Sequence, residues 1–174
     1  MKKIVLSALA ISTITLSGCA TVADMAGADT TTLNMTATQG FNQTLTEARA
    51  NGTLDTSSAT YRRINTVFNN LRPYADQMNQ TGVQFNWQLA VLKNDQVNAY
   101  VAPGGKVVFY TGIVNKLNLT DAEIAAIMGH EMVHAFQYRV IMEGGDSTRL
   151  ENIGNIPLWM IEGMAEYFSI GKKD

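Results

Sequence analysis

Apolar and polar positions along this 174-residue chain change period several times, and each period predicts an element. Phe41, Leu45 and Ala48 fall at helical spacing, and Asn51-Gly52 closes that short helix. Tyr61, Ile64, Phe68 and Leu71 repeat at three and four, which predicts a helix of about 12 residues that Pro73 stops or kinks. The period then drops to two. Val83, Phe85, Trp87, Leu89 and Val91 alternate with mostly polar residues, as in a half-buried strand. Asn94-Asp95 predicts a turn, and residues 97–101 a second strand. Pro103-Gly104-Gly105 predicts another turn, and residues 106–111 a third strand in hairpin with the second. Residues 112–117 open a short helix. Thr120 and Glu123 form a capping box, which starts a helix running to about Ile141. Pro157 suits the first position of a last helix, over residues 157–169.

These elements predict an α+β fold. A small, mostly antiparallel sheet packs on the long helix and on the C-terminal one. Composition narrows the classes further. An apolar fraction of 46% excludes wholesale disorder, and a net charge of -2 excludes a polybasic nucleic-acid binder. One cysteine excludes a disulfide framework and any multi-cysteine zinc site.

The N-terminus reads as an address. Lys2 and Lys3 precede an uncharged apolar run over residues 4–16. That run is shorter than the roughly 20 residues a spanning helix needs, and it fits a secretory signal. Leu16-Ser17-Gly18-Cys19 resembles a bacterial lipobox, which implies cleavage before Cys19 and acylation of its thiol. Two or more acyl chains hold a protein on a bilayer. Ala20 follows the cysteine, and by resemblance to enterobacterial sorting this implies the outer membrane, facing the periplasm. Residues 20–38 are rich in Thr, Ala and Asp, as in a flexible tether. The expected organisation is a signal over 1–18, a tether over 19–38 and a single domain over 39–174.

His130-Glu131-Met132-Val133-His134 carries most of the chemistry. On a helix, residues four apart lie about 40° apart around the axis, so both imidazoles leave one face and can share a tetrahedral ion. Glu131 lies about 60° from His134. It can flank the metal without ligating it, where a general base for water belongs. The flanks Ile124, Ala125, Ile127, Met128, Val133 and Phe136 are apolar, so the helix is buried. A buried carboxylate there needs partners. Zinc needs a third protein ligand, and no third histidine exists. The C-terminal helix offers Glu162 and Glu166, four apart. Glu162 is the expected ligand. Glu166 would then accept a hydrogen bond from a ligating histidine and fix its tautomer. Gly163 would let the two helices approach closely.

His-Glu-x-x-His on one helix and a glutamate on a later one resembles the gluzincin arrangement of zinc metallopeptidases. Residues 60–134, with Val97-Asn98-Ala99-Tyr100-Val101-Ala102-Pro103-Gly104-Gly105, Tyr110-Thr111-Gly112 and Asp121-Ala122-Glu123, look like the HtpX/Oma-type family. That family includes CAAX prenyl proteases and periplasmic lipoprotein proteases. Residues 130–174, with His134-Ala135-Phe136-Gln137-Tyr138 and the run from Pro157 to Tyr167, look more like the peptidase MA-like gluzincins. The first family usually has Glu-x-x-x-Asp at the third ligand, whereas here the fifth position is Glu166.

The resemblance implies a zincin-like fold, one zinc per chain and hydrolysis of peptide bonds in polypeptide substrates. Glu131 would be the base, and His130, His134 and Glu162 the ligands. Tyr138, Tyr167 and Asn98 are candidates for the further donor a tetrahedral oxyanion needs. The strand of Asn98, Ala99, Tyr100 and Val101 resembles the edge along which such enzymes lay an extended peptide. Such pairing reads little sequence, so the expected substrates are unfolded or misassembled cell-envelope proteins. The rivals are a lipoprotein chaperone working with envelope assembly machinery and a structural zinc module. Neither needs a base beside the metal.

Overall fold

In the computed structural model the structure describes residues 30–80 and 82–142, together with Glu162, Gly163 and Ala165. The described elements run α1 (Thr30–Ala50), α2 (Ala59–Met78), β1 (Gln88–Leu92), β2 (Ala99–Ala102), β3 (Lys106–Tyr110), α3 (Thr111–Leu117) and α4 (Asp121–Met142). The expected α+β class is observed.

The strands form one sheet in the order β1-β3-β2. β2 and β3 are the expected antiparallel hairpin, with Val101 opposite Val107. Gly104 and Gly105 turn it at φ 74° and 81°, a backbone region that suits residues without a Cβ. β1 joins the far side of β3 in parallel, so the sheet is mixed, with one pairing of each kind. Regular strand pairing in β1 begins at Gln88, later than the alternation starts, although Phe85 and Trp87 are buried.

Alternation along the strands puts two layers of helix on the sheet. Leu89, Val91, Val101, Val107 and Phe109 face Ile64, Phe68, Ile124 and Met128 of α2 and α4 in the main core. Ala90 and Val108 face the other way, onto Phe41 and Leu45 of α1. Full burial of one such side chain stabilises by about 1.5–3 kcal/mol, so both faces contribute.

α1 corrects one expectation. Residues 30–38, read as tether, are helical, and Leu33 is buried with Phe41 and Ala48. Threonine is a poor helix former because its hydroxyl competes for backbone partners. Here the hydroxyls of Thr36, Thr38, Thr44 and Thr46 donate to the carbonyl four residues back, at 2.6–3.0 Å, and the helix absorbs them. α2 likewise runs through Pro73 rather than stopping there, because Ala75 is still core and Trp87 Nε1 donates to Asp76 at 3.0 Å.

α4 begins as expected. Glu123 Oε2 accepts from Thr120 N–H at 2.7 Å, and Thr120 Oγ1 accepts from Glu123 N–H at 3.3 Å. Gly112, at the start of α3, lies so close to residues 95–96 that a Cβ would stand 2.5 Å from the backbone of Asp95. Only glycine lets the chain pass there, and the contact locks the β1–β2 connection against the end of β3. Among the described residues no helix is long and apolar enough to cross a membrane.

Candidate metal centre

The site is built on the middle of α4. Ile124, Met128, Met132 and Ala135 fix one side of this helix in the core. Phe136 stacks on Phe85 at 5.6 Å between centroids and meets Trp87 edge-on at 5.9 Å. Those contacts leave His130 and His134 on a partly exposed side, side by side with ring centroids 4.7 Å apart.

Glu162 joins them from the C-terminal segment. His130 Nε2 stands 3.0 Å from Glu162 Oε2, His134 Nε2 stands 3.6 Å from the same oxygen, and the two Nε2 atoms are 3.1 Å apart. A tetrahedral shell with bonds of about 2.05 Å has ligand-to-ligand edges of about 3.3 Å. The three observed separations scatter around that edge. Two imidazoles and a carboxylate are also donors that zinc prefers. Among the described residues this is the one cluster of metal-ligating groups, and it leaves a fourth tetrahedral position without a protein donor, as a catalytic centre requires.

Glu131 is not part of the triad. It turns toward β2, where it accepts a hydrogen bond from the backbone N–H of Val101. Burial, and after it the charge of Glu162, pushes its carboxyl up to about 7, against that hydrogen bond. A cation held by the triad would favour the ionised form. A carboxylate held beside a metal site, outside its ligand set, is suited to move a proton.

The antiparallel register defines the edge. Tyr110 N–H donates to Asn98 O, so Asn98, Tyr100 and Ala102 point their backbone groups at β3. Ala99 and Val101 point theirs outward. Val101 N–H is taken by Glu131, which leaves Ala99 N–H and the carbonyls of Ala99 and Val101 without a partner strand among the described residues. The Tyr100 side chain lies on the α1 side, edge-on to Tyr110 at 6.4 Å. Asn98 is exposed and stands three residues from Val101, about 10 Å along an extended strand. Tyr138 packs against the core. Glu166, Tyr167, Pro157 and Cys19 lie outside the described residues.

Two expectations shift. Gly163 is exposed, and among the described residues a Cβ there would meet nothing within 4 Å, so none of them approaches it closely. Sequence reasoning also missed Gln137. It is buried, and its Oε1 lies 2.6 Å from His134 Nδ1. Its position three residues after a ligating histidine was the available signal, because such residues are neighbours on a helix.

Comparison with known proteins agrees with this geometry. The model of peptidase family M48 matches residues 58–153, more than half of the chain. The chain is 41% identical over 59 residues to the mitochondrial metalloendopeptidase OMA1 of Arabidopsis thaliana, covering 34% of this chain and 12% of that protein. It is 33% identical over 79 residues to the human mitochondrial metalloendopeptidase OMA1, covering 45% of this chain and 15% of that protein. The Bos taurus protein of the same name matches at 36% over 53 residues, covering 30% and 10%. The matched segments thus span about a tenth to a seventh of these relatives.

Their names correct one expectation. All three are mitochondrial proteins, which overturns the placement in a bacterial outer membrane facing the periplasm. That placement rested on the bacterial lipobox-like run before Cys19 and on Ala20 after it, and such a sorting signal has meaning only through the machinery that reads it. The site itself is unaffected: a His-Glu-x-x-His helix, a glutamate from a later segment and a matching family model make this chain a member of peptidase family M48, the zinc-dependent metallopeptidases.

Proposed function

We propose that this chain is a membrane-anchored, zinc-dependent endopeptidase acting on unfolded or misassembled proteins at that membrane, in proteolytic quality control. The observation that carries the peptidase reading is the triad at tetrahedral edge lengths with Glu131 beside it and outside it. His130, His134 and Glu162 hold the metal. When bound, zinc supplies Lewis acidity toward the scissile carbonyl and toward water. Glu131 accepts the proton of the attacking water and returns it to the leaving amine. Val101 N–H keeps that carboxylate in place meanwhile. The oxyanion needs a further donor, for which Tyr138, Tyr167 and Asn98 are the candidates.

An extended peptide would pair with Ala99 through its outward N–H and C=O, beside Glu131. Backbone pairing is blind to most side chains, which suits substrates that have lost their fold. Ala99→Pro removes that N–H without touching a ladder bond, and proline is tolerated at such an edge position. The zinc-loaded chain should cleave casein, and Ala99→Pro should raise KM about 10-fold with zinc content unchanged. Absence of zinc-dependent cleavage by the wild type would overturn the reading. An unchanged KM in the variant would move the substrate off this edge.

The anchor is the acylated Cys19, after a signal over residues 1–18. What supports it is the lipobox-like run and the coincidence of the chain's one cysteine with it. Cys19→Ala should leave the protein unlipidated, and either salt-extractable or uncleaved. Normal processing, with membrane association that survives high salt, would place the anchor elsewhere.

A further inference from the structure

Glu131 and the three metal ligands leave one buried polar side chain of the site without a role. Gln137 is 9% exposed, sits on the same helix as both histidines, and places Oε1 2.6 Å from His134 Nδ1. His134 meets the triad through Nε2. A neutral imidazole carries one proton, so the ring can offer a bare Nε2 only if Nδ1 holds the N–H. That N–H then needs an acceptor, and the amide oxygen of Gln137 is in place. The opposite tautomer would put the proton on Nε2, where a ligand lone pair has to be. We infer that Gln137 is a positioning residue for the metal centre: its amide oxygen holds His134 in the Nδ1–H tautomer and aims Nε2 at the metal. The inference rests on the zinc reading above for its consequence, but not for the tautomer itself.

The choice of an amide has a physical reason. The site already holds the carboxylates of Glu131 and Glu162, and Glu162 acts on the charge of Glu131. A third carboxylate behind His134 would add to that repulsion. A neutral acceptor fixes the ring without it. Helical spacing makes the contact local, since residues three apart on α4 are neighbours, so the histidine is oriented before any distant element docks.

The test uses the full chain with two substitutions, Gln137→Leu, which keeps the size without the acceptor, and Gln137→Glu, which keeps the acceptor. The first readout is nitrogen NMR of His134 in the zinc-free protein, at a pH where the ring is neutral. Wild type should show Nδ1–H, and Gln137→Leu should lose that preference. The second is the zinc dissociation constant, by competition with a chromophoric chelator. Gln137→Leu should weaken zinc 10–100-fold, the usual scale for losing such a partner. Gln137→Glu should bind zinc at least as tightly as wild type. A wild-type His134 carrying its proton on Nε2 would overturn the inference even if neither variant folds. So would a Gln137→Glu protein that is folded yet as weak for zinc as Gln137→Leu, since packing alone would then explain the residue. Failure of wild type to bind zinc would instead overturn the metal reading, and the NMR result would still stand by itself.

Discussion

Replacing Glu131 with glutamine should lower the rate of peptide cleavage at least about 100-fold while zinc stays bound, the usual scale for losing a positioned general base. The geometry separates the two properties. Glu131 lies outside the cluster formed by His130, His134 and Glu162, and its hydrogen bond runs to Val101 N–H. Glutamine has the same size and can still accept that bond through its amide oxygen, so α4 and β2 should keep their contact. What disappears is basicity. The fall should therefore be in kcat, with KM nearly unchanged, because the substrate pairs elsewhere on the edge. Steady-state kinetics on casein-derived peptides, run beside elemental analysis of the same preparation, decides it. Wild-type rates in Glu131→Gln would remove the carboxylate from the chemistry.

His130→Ala and His134→Ala should each take bound zinc from about one per chain to none at micromolar metal, and activity with it. Each removes one of three donors, and a two-donor remnant cannot compete with solvent for the ion. Both imidazoles are only partly exposed, at 22% and 15% of the side chain, so water cannot fully replace the lost nitrogen from the buried side. Glu162→Gln should be milder, with weakened but measurable binding. A neutral amide oxygen is a poorer ligand than a carboxylate, but it reaches the same place. Ordering the variants by zinc affinity tests the assignment. If Glu162→Gln holds zinc as tightly as wild type, the third ligand is another acid, with Glu166 next.

How much of this could be read from residues alone depended on how local each feature is. His130, Glu131 and His134 were legible because helical spacing turns directly into angle, and because Thr120 and Glu123 fix where the helix begins. Elimination pointed to an acidic third donor, since the chain has two histidines, and the C-terminal segment offered Glu162 and Glu166, of which the structure brings Glu162 beside both imidazoles. The first turns of α1 were not legible. Its threonines carry no helical preference, and what holds the helix is the burial of Phe41 and Leu45 against a sheet face that no local pattern reveals. β1 misled for a similar reason. A half-buried strand alternates, but β1 is covered by α1 on one face and by α2 and α4 on the other, so Ala90 is as buried as Val91. Gln137 escaped because a glutamine on an apolar helix is chemically silent until its partner is known.

The two edges of the sheet differ, and the difference has a cost. Along β1 the edge is partly closed by residues 53–55: Leu54 bridges to Leu92, Asp55 N–H donates to Val91 O at 2.8 Å, and Lys93 N–H donates to Thr53 O at 2.7 Å. Along β2 no described strand covers the edge, and in the proposed function peptides pair there. Proteins usually guard an open edge with charges, bulges or proline. Ala99-Tyr100-Val101-Ala102 carries no charge, and Pro103 guards one end alone. A strand that accepts many backbones, as proposed for β2, would not refuse a second copy of itself. Self-pairing through β2 would occupy the proposed peptide edge of both protomers, so crowding this protein would compete with substrate for the same hydrogen bonds. Glu131 narrows that liability, since with Val101 N–H already engaged one of the four outward backbone groups of Ala99 and Val101 is withheld from a neighbour.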